Sequence, residues 1–519
     1  MAVLIYKLVL SKNKYLQVLV GIMALGLAVR VLSIFQTNII IGFDQARDLF
    51  DSLKIIAGDI RIVGPTAGNN ANLHHGVAFL YFMIPPLVFG GGNPFYVSLW
   101  NSLFNLGSCL IIYLLTKSLF NDEKPALIAT AISAFSYYFI QFSGWISNPT
   151  VTLLTVPLFF YGLWLYKQNN NKGLILAALS LGISIQFELF FLYLIPTGII
   201  VFFLLKMKFP NPRTMLYALC AMLFALSTMV ATEIKFKFSG VISLLSATGG
   251  TQTSIYILIK EFFSRFWLTF SQNLWPQKPQ FGIYIGIILL GFIVYKSFNN
   301  KENLRLRLAL RLLILYLLSP LLMLVVGFHK APWFLIGIPP AIAIMTGYVL
   351  AKVKPPSLLI LLVLLICITN LLAVKNSYGF GQPLLEPDQA SILSSQLSTI
   401  DYTYQKAEGK PFAINTVTNP LYINAVWAYH YKWYGKKYGY LPTWLGGDQI
   451  PPYNTLAKAG GKEEIFFLII DETPRIPVVH KMEAIKWAKE KGKLIEEKEF
   501  NGILVQAYKT IFSASRKVF

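Results

Sequence analysis

The sequence predicts a polytopic α-helical membrane protein with a small water-soluble α/β domain at its C-terminal end. Three observations predict it. Of 519 residues, 55% are hydrophobic and only 13% charged, against roughly 25% charged in soluble domains. The mean hydropathy of +0.56 leaves too little polar surface to cover a soluble core of this size. Apolar runs of spanning length recur up to about residue 374, and beyond it they become too short to cross a bilayer. An ordinary cytosolic enzyme, a disordered chain and a disulfide scaffold are thereby excluded.

Reading for about 20 mostly apolar residues gives about eleven candidate spans. They lie near 15–35, 96–116, 126–142, 150–166, 173–187, 189–205, 214–232, 281–298, 308–326, 333–351 and 356–374. The first lacks a small-residue cleavage site and is read as a retained span. The net charge of +21 points to membrane orientation and anionic lipid headgroups, with no nucleic-acid partner, because many basic residues flank the apolar runs. Lys7, Lys12, Lys14, Lys117, Lys124, Lys167, Lys172, Lys206, Lys208, Arg213, Lys296, Arg305 and Lys352 fall on one side, and the short loops of the other side hold only Lys330. The positive-inside rule then makes the N-terminus cytoplasmic and residues 375–519 extracytoplasmic, in a multi-pass protein of the cell membrane. Cys109, Cys220 and Cys367 all fall in apolar runs and read as packed thiols.

Residues 1–374 thus form the membrane domain, with long outer loops at 36–95 and 233–280, the second holding short helices. In the tail, Pro411–Val417 and Glu464–Asp471 read as buried strands, 478–491 as a helix, and 494–509 as a hairpin turning at Asn501-Gly502.

The first outer loop carries the sharpest signal. From Asp44 onward, apolar residues at 46, 49, 50, 53, 56 and 57 keep helical period up to Gly58. Asp44, Asp48 and Asp51 then share one polar face with Arg47 and Lys54, on an amphipathic helix near the membrane interface. A carboxylate there can take a proton from an acceptor hydroxyl attacking an activated sugar carbon. A departing lipid phosphate would need cations, and Arg61, Arg265, Lys278 and Lys330 are available on the same side. The competing reading is an N-cap at Asp44 and a solvated acidic face.

Several segments in order carry a resemblance. They are Phe43-Asp44-Gln45-Ala46-Arg47-Asp48, Ala57-Gly58-Asp59 with Gly64-Pro65, His75-Gly76 with Tyr81 and Ile84-Pro85-Pro86, Trp145-Ile146-Ser147-Asn148-Pro149, Glu233, and His329 before Ile338-Pro339-Pro340. Over about residues 15–350 the chain resembles the GT-C lipid-linked-sugar glycosyltransferases. The bacterial branch around protein O-mannosyltransferases and aminoarabinose transferases (glycosyltransferase family 39) is the most similar. The resemblance implies a GT-C-like helical fold and transfer of a sugar, with inversion, from a polyprenyl-phosphate donor to an envelope acceptor, with Asp44 as the catalytic base. Two departures stand out. Gln45 follows Asp44 where many relatives have a second acid, so Asp48 is the candidate second carboxylate. Gln186-Phe187-Glu188 stands where some relatives have Gln-x-His.

The site expected on these grounds has Asp44 and Asp48 as catalytic residues and Arg61, Lys278, Arg265, Lys330 and His329 at the donor phosphate. Arg47, His74, His75, Glu188 and Glu233 complete its pocket. For each a plainer role competes: an ordinary loop for the histidines, a helix-end residue paired with Lys235 or Lys237 for Glu233, and an interfacial anchor beside Trp333 for His329 and Lys330. Asn148-Pro149 reads as a turn, the aromatic stretch Phe262–Trp275 as packing, and Arg30 as a snorkelling arginine more than a phosphate ligand. A divalent metal is left open, since adjacent histidines diverge on most backbones. The expected partners are the polyprenyl-phosphate-linked sugar, membrane lipid, and an acceptor that is protein, lipid or glycan. A flippase of lipid-linked sugars and a membrane-anchored interaction protein are the alternatives. The first would need mid-membrane ionisable residues and related halves, and the second leaves so many spans unexplained.

Overall fold

A computed structural model describes residues 13–35, 39–67, 72–247, 254–299, 303–325, 331–377 and 388–511. Its residues group into two compact units. One comprises residues 1–33, 60–82 and 98–376, and the other residues 34–59, 83–97 and 377–519. The expected division assigned the whole first loop to the membrane domain. In the structure, two stretches of that loop cluster with the C-terminal segment.

The first unit is helical and is a multi-pass membrane bundle. Among the described residues, seven helices are long and apolar enough to cross a bilayer: Lys14–Phe35, Pro94–Phe120, Asn148–Lys167, Pro212–Lys235, Pro279–Asn299, Leu304–Leu324 and Pro356–Asn376. An eighth is the pair Glu123–Phe135 and Tyr137–Gly144, bent by 52°. The remaining expected spans are helical but shorter: Lys172–Phe187, Leu189–Leu204 and Pro339–Leu350. Sequence signals set several starts. The side chains of Asp122, Asn211 and Asn303 accept the amides of Lys124, Thr214 and Leu306 at 2.8–2.9 Å, the usual capping arrangement. At the bend, the Tyr137 amide lost to the helix donates to Asn370 Oδ1 at 2.8 Å, and Ser136 Oγ bonds Asn273 Oδ1 at 2.8 Å. A broken helix at this depth persists only because such side chains satisfy its backbone.

Three expectations are corrected here. The second long loop holds one 20-residue helix, Ile255–Leu274, besides the short Ser239–Ala247. The three charges Lys260, Glu261 and Arg265 had masked its length, yet Leu258, Phe262, Phe266 and Phe270 bury one face of it. Arg30 does not snorkel. It is fully buried and donates to Asn105 Oδ1 (2.9 Å), Gly26 O (3.0 Å) and Ala134 O (2.7 Å), cross-linking three helices. Cys220 is exposed on its helix, whereas Cys109 and Cys367 are buried as expected.

The second unit contains the expected α/β domain. Strands β1 (Phe412–Val417), β2 (Thr443–Trp444), β3 (Ile465–Asp471), β4 (Gly492–Glu499) and β5 (Ile503–Thr510) form one sheet in the order β2-β1-β3-β5-β4. The β2, β1 and β3 strands are parallel, while β5 runs antiparallel to both β3 and β4. The run Ile465–Ile470 is buried on both faces, as a central strand between helical layers requires. Ile414, Phe467, Ile469 and Val505 pack with Ile400 and Trp427 on one face. On the other face Phe466, Leu468 and Tyr508 pack with Ala488 of helix Val478–Lys491. The edge strand β4 is Lys/Glu-rich and exposed, which discourages further pairing. Asn501 and Gly502 turn the β4–β5 hairpin with φ of 50° and 87°, the left-handed pair a two-residue turn needs.

The first-loop helix, Phe43–Ile56, is built into this unit. Leu393 N donates to Ile39 O (2.9 Å) and Ile41 N to Ser391 O (2.7 Å), while Gln396 Nε2 donates to Ile41 O at 2.9 Å. Phe50 meets the rings of Tyr429 and Tyr453 edge-on at 5.3 and 5.6 Å between centroids. Tyr429 lies on helix Ala425–Trp433 and donates to Gly92 O at 2.6 Å.

Candidate functional site

In the second unit, the acidic motif opens helix Phe43–Ile56. Gly42 is its N-cap, and Gln45 Oε1 accepts the Gly42 amide at 3.0 Å. The N-cap therefore lies two residues before the expected Asp44, and the Gln45 side chain, in place of an acid, satisfies its amide. Asp44 lies in the first turn with 68% of its side chain exposed. Arg47 donates Nη1 to Asp44 Oδ1 (2.7 Å) and Nε to Asp48 Oδ1 (2.8 Å). The shared polar face is only half present, because Asp48 is buried. The reason is its packing: Ala46, Leu49 and Phe50 take the helix into the C-terminal domain and carry Asp48 with them. Burial pushes the Asp48 carboxyl up to about 6, against the pull of Arg47. Asp48 and Asp44 in turn hold Arg47 above its ordinary value, despite its own burial. The geometry is that of an exposed carboxylate oriented by a guanidinium, with a buried acid fixing the guanidinium. Tyr453 also acts on Arg47, and it was not expected because its helix partner lies some 400 residues away in sequence.

In the first unit, three separate sequence motifs converge. His75 Nδ1 lies 3.1 Å from Glu188 Oε1. Asn148 Nδ2 donates to Glu188 Oε2 at 3.0 Å and to Phe187 O at 2.6 Å. Glu188 caps the C-terminal end of Lys172–Phe187, in the turn before Leu189. Burial pushes its carboxyl up to about 8, with Asn148 and the Leu189 amide pulling the other way. Gly76 makes the approach possible, since a Cβ there would collide with the side-chain and backbone oxygens of Gln186. Gly64 is similarly pressed against His75 O and Gly76 O. Asn148 had read only as a turn residue, and its role as a Glu188 ligand shows only in three dimensions.

The other expected residues lie apart from this node. His74 points away, its Nδ1 bonded to Gly64 O at 3.0 Å. Glu233 Oε2 accepts the Val241 amide at 3.2 Å, capping the next helix, and no ion pair links it to Lys235 or Lys237 among the described residues. Arg61 is half-buried, its backbone amide and carbonyl both bonded by Tyr81 Oη at 3.2 and 2.8 Å. Arg265 is half-buried on Ile255–Leu274, and its charge acts on the Tyr138 phenol. Lys278 is exposed over the Phe281 ring, 5.8 Å from its centroid. His329 and Lys330 lie outside the described residues. Among the described residues no three His, Cys, Asp or Glu side chains gather as a metal would need. Phe262, Phe266 and Phe270 form a buried aromatic row, as packing requires.

Residues 76–232 match the family model described as dolichyl-phosphate-mannose-protein mannosyltransferase. The crystal structure of ArnT from Cupriavidus metallidurans in the apo state superposes with a TM-score of 0.58, covering 94% of this chain and 97% of that one at 11% identity. The chain has the GT-C fold. ArnT from the same organism bound to undecaprenyl phosphate gives a TM-score of 0.56 at 10% identity, again over 94% and 97%. At the level of sequence alone no curated protein matches. The GT-C resemblance carried by the motifs is borne out, with both the helical bundle and the α/β domain included in the coverage. The matched family segment also contains His75's neighbour Gly76, Asn148 and Glu188, three of the positions that build the buried node.

Proposed function

We propose that this GT-C chain is a membrane glycosyltransferase that moves a sugar from a polyprenyl-phosphate donor to an acceptor hydroxyl with inversion. Asp44 is the general base. The acceptor's proton passes to Asp44, and its oxygen bonds to the anomeric carbon on the side opposite the phosphate. The carbon–oxygen bond to the phosphate breaks, its electron pair leaving with the polyprenyl phosphate. Arg61, Arg265 and Lys278 are the cations proposed for that phosphate, together with His329 and Lys330. Arg47 and Asp48 position the base, and His74, His75, Glu188 and Glu233 are proposed pocket residues. The N-terminus is cytoplasmic and the C-terminal domain extracytoplasmic, at the cell membrane, as the basic loops argue.

The observation that carries the reading is one exposed, guanidinium-oriented carboxylate immediately after the first span, in a chain with the fold of ArnT. The lipid already supplies an activated leaving group, so positioning and proton removal are the tasks left to the protein. The test is release of polyprenyl phosphate from a labelled polyprenyl-phosphate sugar by the purified protein. Asp44→Asn should abolish release while leaving the thermal unfolding unchanged. Normal turnover by that variant would overturn the assignment.

A further inference from the structure

The second unit contains a cavity lined by none of the residues proposed above for the transfer reaction. Its volume is about 420 Å³, within the roughly 300–1,000 Å³ typical of ligand sites. Leu53 of the first-loop helix, Leu87 and Val88 of helix Ile84–Phe89, and Trp433 line it with apolar surface, and Lys432 and Lys436 add the only charge in its lining. The two lysines are exposed and one helical turn apart in sequence. Neither has a carboxylate partner among the described residues. The adjacent Lys437, by contrast, is paired with Asp401 at 2.8 Å.

The surface beside the cavity is apolar too. The lining residue Val88 is 56% exposed and its chain neighbour Phe89 85%, which in water would be an unfavourable place for a phenyl ring. Bilayer contact removes that difficulty, and the chain requires such contact. Gly92, on the cavity wall, precedes by two residues Pro94, where the spanning helix Pro94–Phe120 begins. Two residues reach at most about 7 Å, so this stretch of the cavity wall lies within that distance of the start of a spanning helix. Gly91 and Gly92, with φ of 58° and 88°, make the tight turn that joins the cavity wall to that helix.

We propose that this cavity binds an anionic phospholipid of the surrounding bilayer. Its acyl chain lies along Leu53, Leu87, Val88 and Trp433, and its phosphate sits between Lys432 and Lys436. A soluble phosphate would gain nothing from the apolar wall, and a zwitterionic headgroup would bring its own cation against the two lysines. The proposal is independent of the transfer reaction.

The experiment uses the full chain in mild detergent, titrated with phosphatidylglycerol, phosphatidylcholine, inorganic phosphate and undecaprenyl phosphate, with bound lipid read by native mass spectrometry. Phosphatidylglycerol should bind about 30-fold more tightly than phosphatidylcholine, the effect of two lysines near an anionic headgroup. K432Q/K436Q should erase that preference without altering thermal unfolding, and inorganic phosphate should displace nothing. A phosphatidylglycerol carrying a photoreactive acyl chain should label residues within 53–56, 87–92 or 429–436, and Leu53→Trp should block the labelling by filling the cavity. Equal affinity for the two phospholipids, labelling elsewhere, or undecaprenyl phosphate displacing phosphatidylglycerol at equal concentration would each overturn the proposal.

Discussion

Replacing Glu188 by Gln is the sharpest test of the buried node. Glu188 is buried, and its carboxyl is pushed from 4.5 up to about 8. Each pH unit between those values is worth about 1.4 kcal/mol, so ionising the group in place costs up to ~5 kcal/mol. The sign follows from linkage: between pH 4.5 and 8 the folded chain holds a proton that the unfolded chain has released. Stability from this group is complete below pH 4.5, falls by up to ~1.4 kcal/mol per unit as pH rises, and is lost above about 8. Glutamine keeps the size and an acceptor for Asn148 Nδ2, but it cannot ionise. The assay is thermal unfolding of wild type and Glu188→Gln between pH 4.5 and 9. The variant should be the less pH-sensitive protein, its advantage widening through the window and levelling off above 8. His75 lies 3.1 Å from Glu188, so the pair is repeated in a His75→Asn background to isolate the carboxyl. A wild-type-minus-variant difference that stays flat across the window would refute the assigned desolvation.

Arg47→Lys should lower transfer at least about tenfold, because a single ammonium cannot hold Asp44 and Asp48 in two directions as Nη1 and Nε do; initial rates at saturating donor measure it. Wild-type transfer should fall as pH drops through about 6, where Asp48 protonates and no longer anchors Arg47, and Asp48→Asn should show that low rate at every pH, as a pH–rate profile would record. Gly76→Ala should cost roughly 1–3 kcal/mol of stability by overpacking against Gln186, visible as a lowered unfolding temperature. Arg30→Leu should lower that temperature as well, since it strands the Asn105 and Ala134 acceptors at roughly 1–3 kcal/mol each, while leaving donor affinity unchanged.

What was legible in the sequence divides along a physical line. The sheet domain was legible because its signals are local: Ile465–Ile470 is one unbroken apolar run, and Asn501-Gly502 is a turn pair whose backbone preference is intrinsic. Helix Val478–Lys491 begins and ends at the expected residues for the same reason. The spans were legible as apolar runs, although three form helices shorter than a bilayer crossing. Burial of Asp48 was not legible, because the face a helix hides depends on its partner. Here that partner is Tyr429 and Tyr453, far along the chain. Helical period alone put Asp44 and Asp48 together, and only packing separates them. His75, Asn148 and Glu188 were each read singly, and nothing in their spacing announced that they meet. Helix Ile255–Leu274 was missed as a unit because Lys260, Glu261 and Arg265 lower its mean hydropathy without weakening the helix, whose phenylalanines still bury one face.

Burying Asp48 costs stability, and that cost gives the acidic motif its form. A lone Asp44 beside Arg47 would be a simple exposed pair, free to reorient and worth little. With Asp48 fixed in the domain interior, Arg47 becomes a rigid fork, and the three groups together carry one net negative charge. That charge falls on Asp44, the most exposed of the three. A carboxylate that is aimed and accessible is what proton removal from a hydroxyl demands. The same three residue types with Asp48 exposed would supply the charge but not the aim.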